Sequence, residues 1–106
     1  MHDCTFCKII LGDISARLVG QNERAMAFLD AFPLAAGHVL VVPKTHYVKI
    51  QDMINDDNIA LFSLVREIVS KAESATATNA SLLAIHNGKE AGQEIPHVHV
   101  HIIPRK

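Results

Sequence analysis

A chain of 106 residues supports one domain with a single core, and residues 1–106 are read as that one domain. The formal net charge of −1 gives no basic field, which excludes a partner of polymeric nucleic acid held by charge. Hydrophobic residues make up 49% of the chain, but no run reaches the roughly 18 apolar residues of a membrane span, and Met1-His2-Asp3-Cys4 has neither the basic nor the apolar stretch of a secretory leader; the expected compartment is the cytoplasm, with no membrane partner.

Residues 4–11 (CTFCKIIL) predict one short apolar helix or turn, ended by Gly12-Asp13. Residues 17–21 and 25–29 predict two short strands around the polar turn Asn22-Glu23-Arg24, a hairpin. The segment 30–37 is a loop with breakers at both ends, and His38-Val39-Leu40-Val41-Val42 predicts an apolar strand stopped by Pro43. One long helix is predicted over 55–78, where Ile59, Phe62, Val65, Ile68, Val69 and Ala72 recur at steps of three and four and mark a single buried stripe. A strand over 81–86, a loop over 87–93 and a closing histidine strand complete the chain. Strands outnumber helices in a meander-like order, which predicts an α+β fold with an antiparallel sheet.

The closing strand reads His97-Val98-His99-Val100-His101-Ile102-Ile103, with imidazoles at strict alternation. Period two sends successive side chains to opposite faces, so Val98, Val100 and Ile102 are expected in a core and the histidines on the other face. Neighbours on that face lie roughly 6–7 Å apart, close enough for one phosphate or metal to be addressed by more than one ring. Two chemistries fit: histidines at i and i+2 jointly binding zinc, or one neutral imidazole attacking phosphorus while its neighbours hold the oxygens. A solvent-facing row of histidines is the bland alternative. Cys4 and Cys7 are read as thiols or metal ligands rather than a disulfide.

The histidine row resembles the motif of the histidine triad (HIT) nucleotide-binding proteins. So do Cys4-x-x-Cys7-Lys8-Ile9-Ile10, Ala27-Phe28-Leu29-Asp30, the stretch from Pro33 through Gly37-His38 to Pro43-Lys44-x-His46, and Ala91-Gly92-Gln93, all in the family's order. The resemblance covers essentially the whole chain and is closest to the Hint-like bacterial branch. It implies a HIT-like fold: an antiparallel sheet with one long helix and a short N-terminal helix. It also implies that His99 is the nucleophile, forming a covalent nucleotidyl-imidazole that water then releases as nucleoside monophosphate. By the same resemblance His101 contacts the phosphate and bridging atom, His97 completes the triad, and His38 stands near the same phosphate as a fourth histidine.

The resemblance places Asp30 on the ribose hydroxyls and Phe6, Ile9, Ile14, Phe28 and Leu29 around the base, though Asp30 is equally a turn residue and the apolar residues equally core. Gln93 belongs to the implied nucleotide loop. Eleven residues before His97, where the family usually carries an amide, stands His86, followed by Asn87. An imidazole can donate to a phosphate oxygen, and Asn87 can supply the amide if the loop shifts by one. Cys4, Cys7, His46 and His97 have the composition of a structural Cys2His2 zinc site, as in several bacterial relatives. No organic cofactor is implied. The sequence given ends five residues after His101, where many Hint-like relatives continue into a tail, so a more open substrate side is expected. The expected protein is a homodimer that cleaves a purine nucleoside phosphoramidate or adenylylated amine. The alternatives are a dinucleoside polyphosphate hydrolase, or a nucleotide-binding sensor or interaction module with vestigial catalysis.

Overall fold

Residues 3–106 are described by a computed structural model. The first helix, α1 (Thr5–Leu11), is short enough that its ends decide its existence. Cys4 is the N-cap, its sulfur accepting the Cys7 N–H at 3.4 Å. Gly12 closes it at φ 88°, and Asp13 N–H returns to the Lys8 carbonyl at 2.8 Å. The hairpin follows as β1 (Leu18–Gln21) and β2 (Ala25–Leu29), its turn held by Asn22 Oδ1, which accepts the N–H groups of Arg24 and Ala25.

Then come β3 (Val39–Pro43), α2 (Asn55–Thr76), β4 (Ala80–Ala84) and β5 (Val100–Arg105), with short 3-10 turns at Ile50–Asp52 and Lys89–Ala91. The five strands form one antiparallel sheet in the order β1-β2-β3-β5-β4, the α+β class expected from the strand pattern. Both faces of its centre are covered. On one face α2 packs Leu61, Leu64, Val65, Ile68 and Ala72 onto Ala25, Ala27, Val39, Val41, Val98, Val100 and Ile102. On the other, α1 sets Cys4 and Phe6 against Phe28, Leu40 and Val42. That double burial is why 39–42 reads as an unbroken apolar run rather than an alternating one.

Several expectations are corrected. Ile59 and Phe62 are 61% and 39% exposed, because the helix carries two apolar stripes and the sheet takes the one through Leu61, Leu64, Val65, Ile68 and Ala72. The helix stops at Thr76, where Ala77 turns left-handed at φ 53°. Pro43 closes β3 opposite Ala25 instead of stopping the strand before it. β5 starts only at Val100, since Val98 N–H donates to the Tyr47 carbonyl and not to a neighbouring strand. His97 and His99 therefore stand on an extended approach to the sheet. Among the described residues, no helix is long and apolar enough to cross a membrane.

The first turn of α2 carries a buried acid that hydrophobic periodicity could not reveal. Asp57 receives the Tyr47 hydroxyl at 2.5 Å and Arg24 Nη1 at 2.8 Å, tying the hairpin turn and the β3–α2 connection to the helix. Those two hydrogen bonds, Tyr47 first, hold its carboxyl below the usual carboxylate range. A depressed carboxyl stabilises the fold above its unfolded titration, and that stability is lost as pH falls through the folded one. Asp57→Asn is expected to lower the Tm at pH 7 by roughly 5–10 °C. Thermal scans should show that gap beginning to close as pH drops below about 4, where the unfolded chain's carboxyl takes up a proton, and closed only once the folded carboxyl is neutral as well.

Candidate active site

The register between β3 and β5 places Leu40 opposite His101, and Phe28 of β2 opposite Leu40, so Phe28, Leu40 and His101 share one row on the α1 face. His99 lies further along that face, nearly buried, with Phe6 edge-on against its ring at a centroid distance of 5.0 Å. Its Nδ1 is 2.7 Å from the His97 carbonyl. A carbonyl only accepts, so Nδ1 carries the proton and Nε2 keeps its lone pair. Burial pushes the His99 pKa down, partly offset by that backbone hydrogen bond. The ring is therefore a neutral imidazole with a fixed tautomer.

A second chain of hydrogen bonds sets His38 and His101. Leu34 N–H donates to His38 Nδ1 at 3.1 Å, so His38 carries its proton on Nε2 and donates it to His101 Nδ1 at 3.0 Å. His101 in turn holds its own proton on Nε2. Burial first, then the neighbouring His99, His38 and His86, push the His101 pKa down to about 4. His38 is lowered as well, by burial, with Asp30 opposing. Asp30 Oδ2 lies 3.5 Å from His38 Nε2, while Oδ1 accepts the Phe32 N–H at 2.9 Å. Asp30, His38 and His101 thus offer three donors within 4.8 Å of one another, but the protonated His38 Nε2 is no metal ligand.

The other cluster fits a metal. One donor atom from each of Cys4, Cys7, His46 and His97 lies within 4.8 Å of all the rest. Cys4 Sγ is 3.2 Å and Cys7 Sγ 3.6 Å from His97 Nδ1, and Cys7 Sγ is 3.3 Å from His46 Nδ1. A tetrahedral zinc with sulfur and nitrogen ligands has edges of about 3.4–3.8 Å, so the four donors stand near their places. His97 Nε2 donates to the Pro43 carbonyl at 2.9 Å, which leaves Nδ1 unprotonated and aimed at the sulfurs. Burial pushes His97 down to about 4, keeping it neutral as a ligand must be.

The remaining candidates separate into those at the site and those beside it. Ile9, Ile14 and Phe28 line a cavity of ≈ 230 Å³ with Met26 and Leu18, while Phe6 is core, 5.6 Å from Phe28 between ring centroids. Leu29 faces the other way, packing against the α2 core, because the strand alternates. Asn87 is turned from the histidines: Oδ1 accepts Ile50 N–H and Nδ2 donates to Gln51. Gln93 braces its loop, accepting Gly88 N–H and donating to the Val48 carbonyl at 2.7 Å. His86 stays with the triad, edge-on to His101 at 5.6 Å between centroids. Its Nδ1 donates to the Ala91 carbonyl at 2.7 Å, so the neutral ring has no proton left for a phosphate oxygen, contrary to the simple exchange of imidazole for amide. The backbone groups that choose these tautomers, on Leu34, Pro43, Ala91 and His97, leave no mark in the residue types.

The HIT domain family model matches residues 12–106. The chain is 38% identical over 105 residues to adenylylsulfatase HINT3 of Arabidopsis thaliana, spanning 99% of this chain and 53% of that protein. It is 36% identical over 93 residues to the asymmetrical bis(5'-nucleosyl)-tetraphosphatase of Schizosaccharomyces pombe, spanning 88% and 51%. A zinc-bound histidine triad family protein from Mycobacterium smegmatis superposes with a TM-score of 0.92 at 32% identity, covering 99% of this chain and 76% of that one. An antiparallel sheet closed by a histidine row thus carries both a family's fold and its sequence. The chain belongs to the histidine triad (HIT) family.

Proposed function

We propose that this chain is a nucleotide hydrolase that cleaves a purine nucleoside phosphoramidate or adenylylated amine through a nucleotidyl-His99 intermediate. The observation that carries the reading is the tautomer of His99, whose Nδ1–H is held by the His97 carbonyl and whose Nε2 is a free lone pair in a largely dry setting. Nε2 attacks the α-phosphorus, a P–N bond forms to the ring, and the bond to the leaving group breaks. The ring then carries positive charge, and the same His97 carbonyl stabilises its Nδ1–H. His101 directs its Nε2–H to the bridging atom, with His38 fixing the ring from behind. Water attacks phosphorus in the second step and releases nucleoside monophosphate with His99 restored.

The ribose hydroxyls are assigned to Asp30 and the base to the cavity along Ile9, Ile14 and Phe28. Cys4, Cys7, His46 and His97 would hold a zinc ion that cross-links α1 to the segment leading into β5. His97 links the two centres: its ring belongs to the cysteines and its carbonyl orients the nucleophile. Thiol ligands of this kind are kept reduced in the cytoplasm, where we place the protein. A homodimer is proposed across the outer strand β4, where Leu82 and Leu83 are exposed, and the outward stripe of α2 with Ile59 and Phe62.

The likeness to a bis(5'-nucleosyl)-tetraphosphatase favours a second reading, hydrolysis of dinucleoside polyphosphates. Steady-state rates on an adenosine phosphoramidate and on a diadenosine polyphosphate separate the two. The proposed function gives a kcat/KM at least about tenfold higher on the phosphoramidate. The reverse order would establish the second reading, and no turnover of either would leave a binding module.

A further inference from the structure

His86 stands where its surroundings give it a task different from that of an amide. Its Nδ1–H is held by the Ala91 carbonyl at 2.7 Å, and its ring lies over Gly92, where an added Cβ would come within 3.3 Å of Nδ1. Gly92 at φ +92° and the 3-10 turn Lys89–Ala91 before it keep that carbonyl aimed at the ring. The orientation is fixed, Nε2 is a bare lone pair, and the ring edge meets His101. Facing a phosphate oxygen, a bare lone pair repels; a proton on Nε2 turns the same atom into a charge-assisted donor.

We propose that His86 is a proton-linked phosphate ligand: it takes up a solvent proton on Nε2 as the phosphate of a nucleotide enters, and only then donates to a phosphate oxygen. This rests on the nucleotide reading of the site and adds to it a coupling between pH and affinity.

The other groups nearby do not fill this role. His99 and His101 act on the same charge, but burial keeps both neutral, His101 at about 4, and His101 already presents an Nε2–H. His86 is exposed, so water solvates its cation. Asp30 and Glu94 add negative charge beside His99, while Lys49 approaches Gly88 and Lys89 and Glu90 share the loop with His86. None of these replaces a donor at Nε2. Because binding takes up a proton, affinity falls as pH rises, by up to about tenfold per pH unit.

The test uses the methyl ester of adenosine 5'-monophosphate, whose phosphate has no second ionisation near neutrality, so a proton taken up belongs to the protein. Calorimetric titration at pH 7 in two buffers of different ionisation enthalpy counts that proton. The parent chain is expected to take up a fraction of a proton per ester bound, and its Kd to rise with pH. His86→Asn and His86→Gln are expected to bind with no uptake and a Kd nearly flat in pH. Uptake that persists in both variants would overturn the assignment and move the proton to His99 or His101. Binding by the parent with no uptake would overturn it while leaving the nucleotide site intact. No binding of the ester at all would overturn the nucleotide reading and this inference with it.

Discussion

His99→Ala is expected to lower turnover by on the order of 10⁴-fold or more: His38 and His101 carry their protons on Nε2 and His97 turns its lone pair to the cysteines, which leaves His99 as the buried, oriented ring with a free lone pair. Binding of a nucleoside monophosphate should survive within about tenfold, since Asp30, the Phe28 cavity and His101 remain. Equilibrium binding and single-turnover rates measured on the same variant separate these effects. A variant with near-normal kcat would remove His99 from the chemistry. Equal losses in binding and rate would make it a packing residue against Phe6 instead.

Metal content carries the second large effect. Protein purified without chelator is expected to hold about one zinc per chain, and its removal to lower the Tm by more than about 10 °C. The reason is positional: α1 is only 7 residues long, and the cysteines tie it to His97 at the other end of the sequence. Metal binding needs both thiolates. Burial and the neighbouring Cys4 raise the Cys7 thiol when no metal neutralises it, so the stabilisation should fade as pH falls and protons compete for sulfur. Cys4→Ser with Cys7→Ser should reproduce the metal-free Tm. A double variant as stable as the parent, or elemental analysis without zinc, would return both cysteines to the role of buried thiols.

Much of the fold and the grouping of the histidines is legible in the sequence, for reasons that differ by residue. The alternation of Val98, Val100 and Ile102 with the histidines needed only the geometry of an extended chain, and it holds although the sheet pairing begins at Val100. The four candidate metal donors were legible as a set from their Cys2His2 composition and the resemblance to bacterial relatives, and their donor atoms lie within 4.8 Å of one another. The phase of α2 was not legible: Ile59 and Phe62 repeat as well as Leu61 and Leu64, and only the sheet decides which pair it buries. Leu29 does not join Phe28 on the base side, because period two sends the two neighbours to opposite faces and Leu29 packs on the α2 side. Asp57 is not legible in the sequence, because a buried acid is recognisable only through its partners, Tyr47 and Arg24, which lie 10 and 33 residues away. Asn87 and Gln93 resemble ligands by type, but Asn87 is consumed in tying its loop to Ile50 and Gln51, and Gln93 in bracing the loop and holding it to Val48.

The central claim is that His99 Nε2 becomes bonded to phosphorus. The direct measurement is trapping of the parent protein by alkaline denaturation during turnover of a slow adenosine phosphoramidate, followed by peptide mapping by mass spectrometry at neutral to basic pH, which preserves phosphoramidate bonds. A nucleoside monophosphate adduct on the peptide carrying residues 97–105, with fragmentation assigning it to His99, is the expected result, and it should be absent from His99→Ala. An adduct on His101 or His38, or turnover with inversion of configuration at phosphorus and no adduct, would contradict the account.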